Sequence, residues 1–294
     1  MRRISSGIAS RRRLRSHIVG ISDLAERIYI ENLYERIASP SRDPVINRLV
    51  FTLNNMIERL EKDVRKQSYF VTDASHELRT PIAIIKGYAD LMDRWGKNNP
   101  KVMQESINAI KTEATRINSL ILSLLALTRG DNILENRELA AKVSLNETCM
   151  DTVRDFKLIN KKTVINVINE SEETVIASYE MLMQLIRLFL DNSVKYAKNE
   201  EDEIQLVISG DENASYLSIK DMGIGISEED LPFVFERFYR ADKSRNSKIP
   251  GFGLGLALAD MIVRAQNASI TVHSELDMGT EFIISFFKRN KELQ

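Results

Sequence analysis

Apolar residues in the first half of the chain recur at helical spacing. Between residue 43 and about residue 93 they fall at Ile46, Leu49, Leu53, Ile57, Leu60 and Val64, then at Val71, Ala74, Leu78, Ile82, Ile85, Ala89 and Met92. Steps of mostly three or four residues mark one face of a long helix or a coiled-coil seam. Gln67 interrupts the seam once. Pro44 suits a helix start. Pro81 lies inside the pattern, where it removes one backbone hydrogen bond and should bend the helix. The stretch from Trp95 to Pro100 reads as a loop. A second helix then runs to about Thr128, with a seam at Met103, Ile107, Ile110, Ala114, Ile117, Ile121 and Leu124, and Gly130 reads as its C-cap. Two helices joined by a short loop form an antiparallel hairpin. One hairpin cannot bury seams this long, whereas two paired hairpins make a four-helix bundle, so the pattern predicts a homodimer.

The texture changes further on. Residues 131 to 143 read as a polar linker. Ser144-Leu145-Asn146-Glu147 is a capping box that opens a helix. Thr163 to Asn169 and Thr174 to Ala177 are β-branched and strand-like, and Tyr179 to Lys198 is helical, with Met181, Leu182, Leu185, Ile186 and Phe189 as core. Glu203 to Ser209 and Ser215 to Lys220 form a strand pair, Leu254 to Gln266 a helix, and Ser269 to Ser274 and Glu281 to Phe287 the last strands, joined by a turn at Asp277-Met278-Gly279. The expected fold is a two-layer α/β sandwich, helices against a mixed sheet, behind a helical hairpin. Upstream, Ile21 to Ile37 has a helical pattern, and Ser39-Pro40-Ser41 separates it from the long helix.

Composition narrows the class. The 294 residues suffice for about two domains, and the net charge of −1 argues against direct nucleic-acid binding. The single cysteine, Cys149, excludes an intrachain disulfide framework and reads as a small buried apolar residue. No apolar run reaches the ~18 residues a membrane span needs. Arg2, Arg3, Arg11, Arg12, Arg13 and Arg15 all precede the first acidic residue, Asp23. Such a run follows a transmembrane helix on its cytoplasmic side. It equally suits a solvated leader.

Candidate chemistry begins at His76-Glu77-Leu78-Arg79-Thr80-Pro81. At 100° per residue, His76 points at least 120° away from Val71, Leu78 and Ile82, with Thr72 and Thr80 on its own face. An exposed imidazole is a competent nucleophile when a base holds its second nitrogen, and Glu77 stands next to it. His17 and His273 have no such company. Asp221-Met222-Gly223-Ile224-Gly225 follows a strand; its carboxylate can accept a hydrogen bond from an exocyclic amine such as that of adenine. Gly251-Phe252-Gly253-Leu254-Gly255 opens a helix and offers backbone N–H groups to an anion. On the preceding helix, Asn192 offers a neutral oxygen to a hard cation and Lys195 a charge to phosphate. Phe233 to Arg240 is too aromatic for a free loop and should dock on the domain, with Arg240 in reach of a γ-phosphate.

Taken in order, these motifs resemble those of the sensor histidine kinases of two-component systems. The resemblance runs from about residue 43 to 287: an H-box at His76, an N-box around Asn192, a G1-type box at Asp221, an F-box at Phe235 and a G2-type box at Gly251 to Gly255. It implies a Bergerat-type ATP-binding domain, with domains at 1–17 (basic leader), 18–65 (HAMP-like relay, matched best at Ala25 to Ile28 and Asn54 to Leu60), 66–130 (dimerisation and phosphoacceptor), 131–143 (linker) and 144–294 (catalytic). His76 would be the phosphoacceptor, Glu77 its general base, and Thr80 the group positioning a hydrolytic water. Asn192 would hold Mg²⁺, Lys195 and Arg240 would meet ATP phosphates, Asp221 would read adenine, and Tyr196 would line base and ribose. Gly223 and Gly225 would shape the adenine end. Gly251, Gly253 and Gly255 would close the ATP lid, whose mobile part is Ala241 to Pro250. The implied partners are a second copy of the chain and the receiver domain of a cognate response regulator, in a protein anchored at the cytoplasmic face of a membrane. Leu188 stands where relatives often carry a second asparagine, and Pro250 where they often carry glycine. Gln266 and Ala268 replace a common His-Gly pair, with little effect expected. These departures leave room for a phosphatase-biased regulator. An ATPase of the gyrase, chaperone and mismatch-repair group shares the nucleotide fold but has no need of His76.

Overall fold

A computed structural model describes residues 36–37, 44–96, 99–133, 140–199, 201–241 and 251–288, with no side-chain placement for 129–133. The expected Ile21 to Ile37 helix (apart from Arg36 and Ile37), the arginine-rich leader, His17 and lid residues 242–250 lie outside the described residues. The chain divides into two compact units between Arg79 and Thr80.

The first apolar seam forms α1 (Pro44–Trp95), 52 residues long and helical through Pro81. In the first unit Ile37 packs with Ile46, Val50 and Ile57, flanked by Leu53 and Val64. The Asn54 side chain clasps the Ile37 backbone: its Oδ1 accepts from Ile37 N at 2.9 Å and its Nδ2 donates to Ile37 O at 3.1 Å. A segment without helical hydrogen bonds is thereby fixed at both its donor and its acceptor. Arg36 and Arg65 converge on the Glu61 carboxylate, each at 2.5 Å.

In the second unit α2 (Pro100–Ile133) starts at an Asn99 cap, whose Oδ1 accepts from Lys101 N and Val102 N. One expectation needs correction here. The helix does not stop at Gly130 but runs on to Ile133; a helical glycine costs only about 1 kcal/mol relative to alanine, which one more turn of hydrogen bonds offsets. On α2, Ser106, Leu120 and Leu127 are buried, the seam residues Ile107, Ile110, Ile117 and Leu124 are half-buried, and Met103 and Ile121 are exposed.

The linker also ends earlier than expected. Residues 141–144 form β1 (Ala141–Ser144), paired antiparallel with β3 (Thr174–Ala177). The Ser144 cap is present: Ser144 Oγ accepts from Glu147 N at 3.3 Å and opens α3 (Leu145–Ile159). Then follow β2 (Ile165–Asn169), α4 (Tyr179–Tyr196), β4 (Ile204–Gly210), β5 (Ala214–Asp221), a 3-10 turn at Leu231–Phe233, α5 (Gly255–Ala265), β6 (Ala268–Glu275) and β7 (Gly279–Phe287). The main sheet runs β2-β4-β5-β7-β6, with β2 parallel to β4 and every other pair antiparallel.

Strict alternation along β4, β5 and β7 buries Leu206, Ile208, Leu217, Ile219, Phe282 and Ile284 on one face. That face packs with Leu182, Leu185, Ile186, Phe189 and Leu190 of α4 and with Leu258, Ile262 and Val263 of α5. Each such side chain contributes about 1.5–3 kcal/mol by leaving water. Phe189 and Phe282 meet at 4.7 Å between ring centres, and Phe235 reaches Phe282 edge-on at 6.4 Å, so the aromatic loop docks on the sheet-facing core. Cys149 is fully buried, and burial pushes its thiol up to about 12, which leaves it inert at neutral pH. Gln266 does more than the sequence suggests: it is buried, and its Oε1 accepts from Ser178 N at 3.0 Å, tying the end of α5 to the start of α4.

Candidate functional site

Four segments of the second unit converge on one cleft of about 340 Å³. Helix α4 supplies Leu188, Asp191, Asn192, Lys195 and Tyr196; the turn after β5 supplies Asp221, Ile224 and Gly225; the aromatic loop supplies Tyr239 and Arg240; and Gly251 to Leu256 close it. Nine of the ten residues expected at a nucleotide site line this cleft. The exception, Gly223, lines a second hollow of about 410 Å³, and Asp221 belongs to both.

Asp221 anchors one end. It ends β5 with 7% of its surface exposed. Its Oδ1 accepts from Gly223 N at 2.9 Å and Thr280 N at 3.2 Å, and its Oδ2 from Ser193 Oγ at 3.1 Å. Burial pushes the carboxyl above its ordinary range, against the pull of these three donors. A buried carboxylate with lone pairs left over is a directional acceptor for an amine. Gly223 is needed for packing: a Cβ there would stand 2.6 Å from Tyr196 O and 2.9 Å from Asp221 Oδ1.

The other end is basic and glycine-lined. Lys195 lies over the Tyr196 ring at 4.7 Å from its centre, and its ammonium lies close beside the Gly251 backbone. Gly253 has φ +69°, and Gly253 O accepts from Phe238 N at 2.9 Å. The glycine loop is thus sewn to the aromatic loop just ahead of Arg240. Basic groups beside loop N–H donors at the start of a helix are the chemistry that suits a phosphate.

The phosphoacceptor candidates lie on α1, where His76 and Thr80 are exposed and Glu77 is half-buried. Thr72, on the same face, spends its hydroxyl on Ser68 O at 2.9 Å.

Sequence reasoning missed several residues in and around the cleft. Ser193 and Thr280 complete the shell around Asp221. Thr280 follows the turn glycine Gly279, but only the β5–β7 register, which pairs Asp221 with Thr280, brings it there. Tyr239 lines the cleft beside Arg240. From α2 comes Ser123, while Arg116 stacks on Phe252 of the glycine loop at 5.0 Å. No local motif marks these two.

Fold and site together define a protein with a nucleotide-binding α/β sandwich behind a helical hairpin that bears an exposed histidine. Residues 66–133 match the His Kinase A (phospho-acceptor) domain, and residues 177–290 match the Histidine kinase-, DNA gyrase B-, and HSP90-like ATPase domain. The chain belongs to the sensor histidine kinases. It is 35% identical over 271 residues to the signal transduction histidine-protein kinase ArlS of Staphylococcus aureus (strain USA300), an alignment covering 92% of this chain and 59% of that protein. The chain therefore spans about three-fifths of the length of the curated relatives it matches. Two solved structures share the fold. The Acinetobacter baumannii histidine kinase AdeS superposes with a TM-score of 0.54 at 21% identity, covering 73% of this chain and 98% of AdeS. Histidine kinase ThkA, in complex with response regulator protein TrrA, superposes with a TM-score of 0.58 at 19% identity, covering 80% of this chain and 67% of ThkA. Among the described residues no helix is long and apolar enough to cross a membrane.

Proposed function

We propose that this chain transfers the γ-phosphoryl group of ATP to His76 and passes it on to an aspartate of a response regulator. The observation that carries this reading is an exposed His76 on a helix within the phosphoacceptor match, in a chain that also has a cleft with an adenine-type carboxylate at one end and basic, glycine-lined walls at the other. A His76 ring nitrogen attacks phosphorus, the bond to the bridging oxygen breaks, and ADP leaves. Glu77 accepts the second ring proton and stabilises the imidazolium. Lys195 and Arg240 face the charge that spreads over the transferring group. A carboxylate oxygen of the response regulator's aspartate then attacks the same phosphorus, the phosphorus–nitrogen bond to His76 breaks, and an acyl phosphate results; Thr80, one turn from His76, positions the water that later hydrolyses it.

Asn192 would hold Mg²⁺ in this scheme. Among the described residues no three His, Cys, Asp or Glu side chains group as a metal site. That suits an ion bound mainly by phosphate oxygens and water with few protein ligands. Once bound, the ion would neutralise charge between the phosphates.

The exposed seam residues Ile82, Met103 and Ile121 support a homodimer, since a second copy would bury them. ThkA, a relative in fold, is known in complex with a response regulator, which supports a receiver domain as the partner here. The arginines from Arg2 to Arg15 support a position beside an anionic membrane surface. Leu188, an apolar residue lining the cleft near Asn192, favours a second reading in which phosphatase activity outweighs autophosphorylation.

The test is incubation with γ-labelled ATP and Mg²⁺, wild type against His76→Gln. An acid-labile, base-stable label absent from the variant is expected. An unlabelled wild type that still binds ATP would defeat the kinase reading. Dephosphorylation of a phosphorylated partner by that same unlabelled protein would establish the second one.

A further inference from the structure

The aromatic loop holds a hydrogen-bonded post that the nucleotide reading leaves unused. Tyr239 OH donates to Asp230 Oδ1 at 2.5 Å. Asp230 is itself held in place: its Oδ2 accepts from Ser227 Oγ at 2.6 Å, and its backbone N–H donates to Ser227 O at 3.1 Å. The Tyr239 ring packs on Phe233, 5.6 Å between centres. The hydroxyl is pushed up to about 12, first by the bond to Asp230 and then by burial, so it stays a donor at any physiological pH.

The backbone bends to make this bond. Phe238, the residue before, has φ +63°, a left-handed conformation that costs a side-chain-bearing residue about 1–2 kcal/mol. At that bend Phe238 N donates to Gly253 O, and Gly253 packs so tightly that a Cβ would stand 2.5 Å from Tyr239 O. One strained turn therefore sets three things: where the Tyr239 hydroxyl reaches, where the glycine loop lies, and where Arg240 enters the cleft.

We propose that the Tyr239–Asp230 pair is a positioning device that fixes Arg240 and the glycine loop at the phosphate end of the cleft, and so governs the phosphoryl-transfer step rather than adenine recognition. The inference rests on the reading of the cleft as an ATP site. Asp221 and its donors lie on other segments, so adenine recognition does not depend on the pair. Geometry at the phosphate end does, and a misplacement of about 1 Å can cost on the order of a hundredfold in rate.

The experiment measures autophosphorylation at saturating Mg²⁺-ATP, the KM for ATP, ADP affinity and the thermal midpoint. It compares wild type, Tyr239→Phe, Asp230→Ala, the double variant, Arg240→Ala and Arg240→Ala with Tyr239→Phe. Wild-type labelling at His76 is the entry condition, and its absence would defeat the kinase reading alone. Expected are a roughly ten- to hundredfold lower rate constant in each single variant of the pair, no further loss in the double variant, and ADP affinity within about twofold of wild type. Tyr239→Phe should cost clearly less once Arg240 is alanine than it does in wild type, the remainder being its hold on the glycine loop. An unchanged rate in Tyr239→Phe would overturn the proposal. So would a rate loss matched by an equal loss of ADP affinity or by a collapsed thermal midpoint, because a purely structural post acts on all of these alike. Full additivity with Arg240→Ala would show that Tyr239 does not act through Arg240, and would overturn it too.

Discussion

Ser193 of α4 donates its hydroxyl to the buried Asp221 carboxylate at the end of β5, 3.1 Å away, so the helix that carries Asn192 and Lys195 is tied to the carboxylate proposed to read adenine. Burial holds the Asp221 pKa above the usual aspartate value, and Ser193 is one of the donors that restrain it. A folded-state pKa above the unfolded value means the folded protein binds the extra proton. Ionising Asp221 therefore costs stability as pH rises between the two values. Adenine recognition runs the other way, because the amine needs the ionised carboxylate. ADP affinity should fall on acidification through the Asp221 pKa, at a pH above the ~4 of a free aspartate. Ser193→Ala should move that midpoint upward and weaken ADP about tenfold at neutral pH. Calorimetric titration across the range reads both; a midpoint that stays put or falls would refute the coupling.

Glu173 forms a second buried cluster at the end of β5 opposite Asp221. Its carboxylate accepts from Ser171 Oγ at 2.9 Å, Ser215 Oγ at 2.5 Å and Lys288 Nζ at 3.0 Å. Burial pushes the carboxyl up, but the three partners together outweigh it, and the net shift is downward. With the folded pKa depressed, the stabilisation is present above the unfolded glutamate value and is lost as pH falls through the folded one. Glu173→Gln should cost on the order of 2 kcal/mol at neutral pH. It should also flatten the acid limb of stability below about pH 4.3. Urea unfolding at two pH values measures this, and an equal penalty at both would rule out the charge.

Gln266→Leu removes the acceptor that satisfies Ser178 N at the entry to α4. An unpaired buried N–H costs about 1–3 kcal/mol. The thermal midpoint should drop accordingly while ADP affinity in the remaining folded protein holds, since Gln266 does not line the cleft. A midpoint equal to wild type would show that water replaces the amide there.

Two glycines of one motif should respond in opposite ways. Gly253 sits at φ +69° with Phe238 C 2.7 Å from the place of a Cβ, so Gly253→Ala should destabilise by at least ~1–2 kcal/mol. Gly255 opens α5, and a Cβ there meets nothing within 4 Å. Gly255→Ala should hold stability or raise it by up to ~1 kcal/mol. Chemical denaturation of both variants compares them directly, and a larger loss at Gly255 would contradict the loop geometry.

Periodicity and motif order carried most of the architecture. A helix over residues 44–95 follows from apolar residues three and four apart, and β4, β5 and β7 follow from alternation, because each element buries one face and its sequence must repeat with that face's period. Asn192, Lys195, Asp221 and the glycines were legible because their chemistry sits in short contiguous runs. Other features were invisible for an equally physical reason. Ser193 and Thr280 meet Asp221 only through a helix–sheet contact and a strand register; Tyr239 meets Asp230 only because Phe238 turns left-handed; Arg116 reaches Phe252 from more than a hundred residues away in the chain. Local sequence determines what each segment can hide and what each motif can bind. Which groups share a hydrogen bond across segments is decided by packing, where unpaired buried donors and acceptors are too costly to leave.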